Sequence, residues 1–237
     1  MSSGYRRKNG VATAFFKRGD GANAKIAVII RIEVIMSASA VSYHVTPAPG
    51  GHRFTVRQHV PVAPDSDIAF YLPVWIPGSY MRRDFARFLS RLAVTDADGN
   101  AIPFAFDNPS RWHLRVPPAC HELHIYYTIY ARDISVRGNY LDHERGFLNP
   151  CATCLAIEGY EPLPHRLVLA LEGHRAGWQI TGAQTGGDGA YWFENYEQLI
   201  DTPLMFAAEL TILPFTAGGV PHDIVISGKA WDYDHER

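Results

Sequence analysis

From Met36 onward, apolar and polar residues alternate with a period of two along most of the chain, and this pattern constrains the fold more than any other feature. Arg53-Phe-Thr-Val-Arg-Gln-His-Val60, Trp112-His-Leu-Arg-Val116 and Leu123-His-Ile-Tyr-Tyr-Thr-Ile-Tyr130 each send successive side chains to opposite sides of an extended backbone. Each is bounded by Pro, Gly, Asp or Asn, so each reads as a strand with one wet face. Residues 68–72, 92–94, 102–104, 167–171, 191–193, 207–213 and 223–226 read as further strands, with Asp96-Ala-Asp-Gly-Asn100 as a turn. One short helix is expected over 194–199. About ten strands at short spacing with so little helix imply an all-β fold, in which twisted antiparallel or mixed sheets pack as a sandwich.

Residues 1–35 break the pattern. They carry seven Lys or Arg against Asp20 and Glu33, whereas the rest of the chain carries fifteen against twenty-two, and three of the four lysines fall there. The shift marks an N-terminal extension, flexible or not native to the domain, with Met36 as a natural start. Ile26-Ala-Val-Ile-Ile30 follows basic residues as a targeting segment does, but Arg31 and Glu33 interrupt it well short of the ~20 apolar residues of a membrane span. The β-domain is therefore expected over 36–230, with 231–237 as the start of a linker. A formal net charge of -2 argues against nucleic acid or an anionic membrane as partner, and a cytoplasmic location is expected.

Chemistry-bearing motifs are sparse. Cys151-Ala-Thr-Cys154 matches C-x-x-C, but a redox reading needs an exposed sulfur of low pKa, and a zinc reading needs two more ligands at suitable spacing. Buried thiols in an irregular segment are the plainer expectation. His121-Glu-Leu-His124 places its histidines at i and i+3 of an alternating segment, on opposite faces, so a single ion does not take both. Ser79 has no evident base beside it. The least generic stretch is Trp75-Ile-Pro-Gly-Ser-Tyr-Met-Arg-Arg-Asp-Phe85, where Pro77-Gly78 suits a type II turn and Arg82, Arg83 and Asp84 form a compact charged group.

That stretch leads a series of motifs. Trp75-Ile-Pro-Gly-Ser-Tyr80 is followed by Arg83-Asp-Phe-Ala-Arg87, Asp98-Gly99, Val136-Arg-Gly-Asn-Tyr-Leu-Asp142, Gly146-Phe-Leu-Asn149, Gly177-Trp-Gln-Ile180 and Tyr196-Glu-Gln-Leu-Ile-Asp-Thr-Pro203. In this order, over residues 41 to 228, the sequence resembles the N-terminal β-domain of the glycyl aminopeptidase family, zinc metallopeptidases related to aminopeptidase N and leukotriene hydrolase and often associated with a PDZ domain. The resemblance implies that zinc, its H-E-x-x-H helix and the general base belong to a catalytic domain that follows. The chain contains no H-E-x-x-H, so no metal and no catalytic residue is assigned within it.

The expected role is thus a non-catalytic domain, as a fragment or truncated product, that shapes one side of the peptidase cleft. Its partner would be the missing catalytic domain or a separate chain supplying it, and an exposed apolar face would allow self-association. By analogy Tyr80, Arg82, Asp84, Arg137, Tyr140, Asp142 and Asn149 are the substrate-rim or domain-interface candidates. The alternative is a stand-alone peptide- or carbohydrate-binding module using Tyr126, Tyr130, Trp178 or Trp192, which requires a narrow groove lined by those rings. A thiol oxidoreductase built on Cys151 and Cys154 is a third reading.

Overall fold

The longest alternating segments pair with one another. In the computed structural model, which describes residues 40–76, 78–173 and 176–228, they form a six-stranded sheet. Its order is β13 (Tyr191–Phe193), β11 (His165–Leu169), β1 (Val41–Ala48), β2 (Arg53–Pro61), β7 (Glu122–Tyr130) and β4 (Leu89–Thr95). A second sheet runs β10 (Ala156–Ile157), β3 (Asp67–Tyr71), β6 (Arg111–Arg115) and β5 (Ala105–Asn108). A third runs β12 (Gln179–Thr181), β14 (Leu204–Ala207), β9 (Arg145–Leu148) and β8 (Tyr140–Leu141), and β15 (Leu210–Ala217) pairs only with β16 (Val220–Ser227). The pairings among these strands are antiparallel except that of β1 with β11. The expected extension over 1–35 and linker over 231–237 lie outside the described residues.

Period two translates directly into a two-faced sheet. Tyr43, Val45, Phe54, Val56, Leu123, Ile125, Tyr127 and Ile129 are buried on one face, while His44, Arg53, Thr55 and Arg57 point outward. The buried face belongs to one continuous apolar core that also takes in Phe70 and Trp112 of the second sheet and Phe206 of the third. Phe54 meets Phe206 with ring centroids 6.3 Å apart, which joins the first and third sheets. At roughly 1.5 to 3 kcal/mol for each large apolar side chain, this burial is the main stabilising term.

Two expected strands differ. Residues 102–104 form no strand: Ile102 donates to the Val94 carbonyl at 2.8 Å, Pro103 has no N–H to continue a ladder, and β5 begins only at Ala105. Residues 207–213 divide between β14 and β15, because exposed Ala208 and Glu209 carry the chain out of the core and Leu210 donates to the Gln179 side chain instead. The expected helix is α1 (Tyr196–Ile200). Asn195 caps it, accepting from the Gln198 N–H at 2.8 Å, while the Gln198 side chain accepts from the Glu194 N–H at 2.6 Å.

Segment 149–155, which holds a single 3-10 turn at Pro150–Ala152, is buried throughout, and side chains from the surrounding strands and from α1 satisfy part of its backbone. Tyr43 and Gln58 both donate to the Leu155 carbonyl, Tyr127 accepts from the Leu155 N–H, and Tyr196 donates to the Cys154 carbonyl at 2.7 Å. Among the described residues no helix is long and apolar enough to cross a membrane.

Candidate functional site

The Trp75 to Phe85 stretch leaves β3 and turns at once. Ser79 donates its N–H to the Ile76 carbonyl at 3.2 Å, and Gly78 has φ of 71°, the left-handed conformation that the third position of a type II turn requires. Pro77 itself lies outside the described residues. Arg83 closes the loop, donating its N–H to the Val74 carbonyl at 2.7 Å and its Nε to Ser79 Oγ at 2.9 Å. The Ser79 hydroxyl in turn donates to the Met81 carbonyl, so it serves the turn and meets no base. Arg82 and Asp84 pair with each other at 3.1 Å in solvent, and Tyr80 is fully exposed.

Below this loop lies a cleft of about 320 Å³. Ile76 and Gly78 line it from the loop, Val136 and Arg137 from the segment after β7, Asn149 and Cys151 from the buried irregular segment, and Ile200, Asp201 and Pro203 from the end of α1. Four of the motifs quoted above, far apart in the chain, thus meet at one place. A second cleft of about 250 Å³ shares Val136 and is walled by Ile134, Tyr140, Arg145, Met205 and Ser227 among others.

The candidates divide accordingly. Arg137 and Asn149 line the first cleft and Tyr140 the second, whereas Tyr80, Arg82, Asp84 and Asp142 line neither. Asn149 is buried and donates to the Arg137 carbonyl at 3.1 Å, which holds the cleft wall in place. Asp142 caps the turn between β8 and β9, accepting from the Glu144 and Arg145 N–H groups and from the Tyr140 hydroxyl, each at 2.8 Å. Partial burial pushes its carboxyl up, but these hydrogen bonds and the Arg145 charge outweigh that and hold it below the usual value. The same hydrogen bond raises the Tyr140 hydroxyl, and the Arg145 guanidinium lies 5.3 Å from the Tyr140 ring centre.

Asn139, in the same motif as Arg137 and Tyr140, proves to be the hub. It is buried, accepts from the Asn149 N–H at 2.8 Å and the Thr153 hydroxyl at 3.0 Å, and donates to the Ala152 carbonyl at 3.3 Å. Its position in the sequence does not reveal burial, so Arg137 and Tyr140 draw attention first. Asp201, at the end of α1, is likewise a cleft acid that the motif contains but spacing does not single out.

Cys151 and Cys154 are free, buried thiols. Burial pushes Cys151 up to about 12, the nearby Asp201 carboxylate adding to it, and burial pushes Cys154 well above the ordinary thiol value. A nucleophilic or redox cysteine requires the reverse, so the oxidoreductase reading does not stand. A zinc ion does not fit the cleft: Arg137, Asn149, Asp201 and a buried thiol make no converging donor set, and α1 carries no H-E-x-x-H. The rings proposed for a binding module scatter. Trp178 packs toward Phe206, Trp192 lies at the opposite edge of the six-stranded sheet from Tyr130's neighbour β4, and none lines either cleft.

No curated protein matches the sequence. Among solved structures, an aminopeptidase N family protein from Idiomarina loihiensis superposes with a TM-score of 0.71 at 33% identity, covering 81% of this chain and 33% of that one. The chain therefore spans about a third of the length of that relative. Aminopeptidase A from Legionella pneumophila, solved with aspartic acid, aligns over 79% of this chain and 23% of that one, at 9% identity and a TM-score of 0.45. The Peptidase M61 N-terminal domain family matches residues 42–208, the span that holds both clefts' principal walls and every motif meeting at the first, and the chain belongs to that family.

Proposed function

We propose that this domain is the non-catalytic wall of a larger metallopeptidase, docking a catalytic domain along the edge that carries the two clefts. One observation carries the reading. Trp75 (62% exposed), Met81 (63%), Ile134 (87%) and Val136 (78%) stand out together from the two loops over the clefts, a concentration of exposed large apolar residues at one edge. The hairpin of β15 and β16 extends this edge, exposing Ile212, Phe215, Val220 and Ile224, and Ser227 at its end lines the second cleft beside Ile134. A lone two-stranded hairpin is marginal in water, and a partner surface would complete it.

Arg137, Asp201 and Asn149 would then form the polar rim facing the peptide's amino end, with Arg82, Asp84 and Tyr80 at the outer margin. The zinc and general base would be supplied by the catalytic domain, in this chain's own longer product or on a separate chain. Two measurements test the proposal. The purified chain should show no zinc-dependent release of amino acids from aminoacyl p-nitroanilides; robust turnover would sink the non-catalytic assignment. Sedimentation with a separately produced M61 catalytic domain should give a complex that Trp75→Asp with Val136→Asp abolishes. Absence of a complex with the unaltered chain would sink the docking assignment.

A further inference from the structure

We propose that His59, Glu122 and His124 form a binding site for a borderline divalent transition-metal ion, of the zinc, nickel or copper class, on the solvent face of the six-stranded sheet. The site is independent of the cleft edge and of the family's catalytic zinc. It arises from register. His59 on β2 lies directly opposite His124 on β7, and Glu122, two residues before His124, points to the same face. His121, the partner suggested by the linear motif, is exposed just outside the strand and takes no part.

The donor atoms already converge. Glu122 Oε1 lies 2.9 Å from His59 Nδ1 and 3.2 Å from His124 Nε2, and the two imidazole centres are 4.2 Å apart. A tetrahedral ion with bonds of about 2.0 to 2.1 Å holds its ligand atoms about 3.4 Å from one another, so the two spacings to Glu122 need only open slightly, and all three donor atoms already lie within 4.8 Å of one another. Two imidazoles and one carboxylate suit zinc, nickel or copper rather than calcium or magnesium, which take oxygen ligands. The Tyr126 hydroxyl lies 3.5 Å from His124 Nδ1, on the side away from the carboxylate, where a partner orients a ligating ring and fixes which nitrogen faces the ion.

The backbone beneath is rigid. β2 and β7 are interior neighbours in the sheet, and Gln58, Leu123 and Ile125, which alternate with the three ligands, are buried in the core. Three ligands on fixed strands leave a fourth position for water, and an ion there would clip β2 to β7 from outside. The rival account is that the three side chains form only a hydrogen-bonded His–Glu–His group.

The test uses the full chain, freed of metal by chelation, titrated with zinc by calorimetry and with cobalt as a spectroscopic substitute. The expected result is one saturable equivalent of zinc, the visible absorption of four-coordinate cobalt, and a thermal midpoint that rises with zinc. His59→Ala, Glu122→Gln and His124→Ala should each remove the equivalent and the cobalt bands, while His121→Ala keeps both. Tyr126→Phe should weaken binding about tenfold. Should His59→Ala fail to fold, His59→Gln preserves the side chain's bulk and polarity. No saturable equivalent in the unaltered chain, or the same equivalent in the ligand variants, overturns the site.

Discussion

The six-stranded sheet and the cleft edge are built on different principles. The sheet is held by apolar side chains, such as Tyr43, Phe54, Ile125 and Ile129, that any neighbour of similar shape can support. The edge is held by a few directional bonds among Asn139, Asn149 and Thr153, and by Arg83 and Asp142 tying turns. Burial spreads stability over many small contacts, whereas a buried polar network concentrates it in single atoms. The sheet should therefore lose stability in proportion to volume removed, and the edge should lose its local order first, at a smaller global cost.

The largest expected effect tests the sheet. Phe54→Ala removes a fully buried ring that meets Phe206 and should cost about 3 to 5 kcal/mol, read as a lower urea midpoint with an unchanged slope. A cost below about 1 kcal/mol would mean that the core does not join the sheets as described.

Acid should expose a second weakness of the sheet. Burial lowers the His165 imidazole to about 4, with the Tyr160 carbonyl and the Glu161 charge opposing it. Because the folded value is depressed, the contribution is complete above the unfolded value of 6.5 and is lost as pH falls toward about 4. The loss is on the order of 3 kcal/mol, and His165→Phe should flatten the pH dependence of the urea midpoint across that window. An unchanged slope would rule the residue out as its source.

Asn139→Ala should cost about 1 to 3 kcal/mol by stranding the Asn149 N–H and the Ala152 carbonyl. The sharper reading is hydrogen exchange: protection should fall at 149–153 and persist in β2 and β7. Uniform loss across both regions would erase the contrast drawn between them. Arg82→Ala marks the lower limit, since its pair with Asp84 is solvent-exposed, and the midpoint should move by less than about 0.5 kcal/mol. If the docking proposal holds, the same change weakens association with a catalytic domain while stability stays put.

Much of this was legible in the chain itself. Arg53 to Val60 and Leu123 to Tyr130 alternate because a strand's side chains must alternate, so β2, β7 and their buried faces could be read without coordinates. The Pro-Gly corner and the Asn195 cap were legible for the same local reason: each is chemistry between residues a few positions apart. The site was less so. Arg137, Tyr140 and Asn149 come from the right motifs, yet which of them lines a cleft, and that Asn139 beneath them is the hub, depends on burial that spacing does not encode.

The sequence alone determined the all-β class, the long alternating strands such as β2 and β7, the corners and the family, because those follow from periodicity, local conformational preference and motif order. Only the tertiary structure decided what meets what. It brought four distant motifs to one cleft, buried both thiols of Cys151 and Cys154 beyond redox use, and set His59 across from His124. The physical reason is register. Alternation settles which face His59 takes, but a slip of two residues would keep that face and move His124 from opposite it, and only the packing of the whole sheet fixes that pairing.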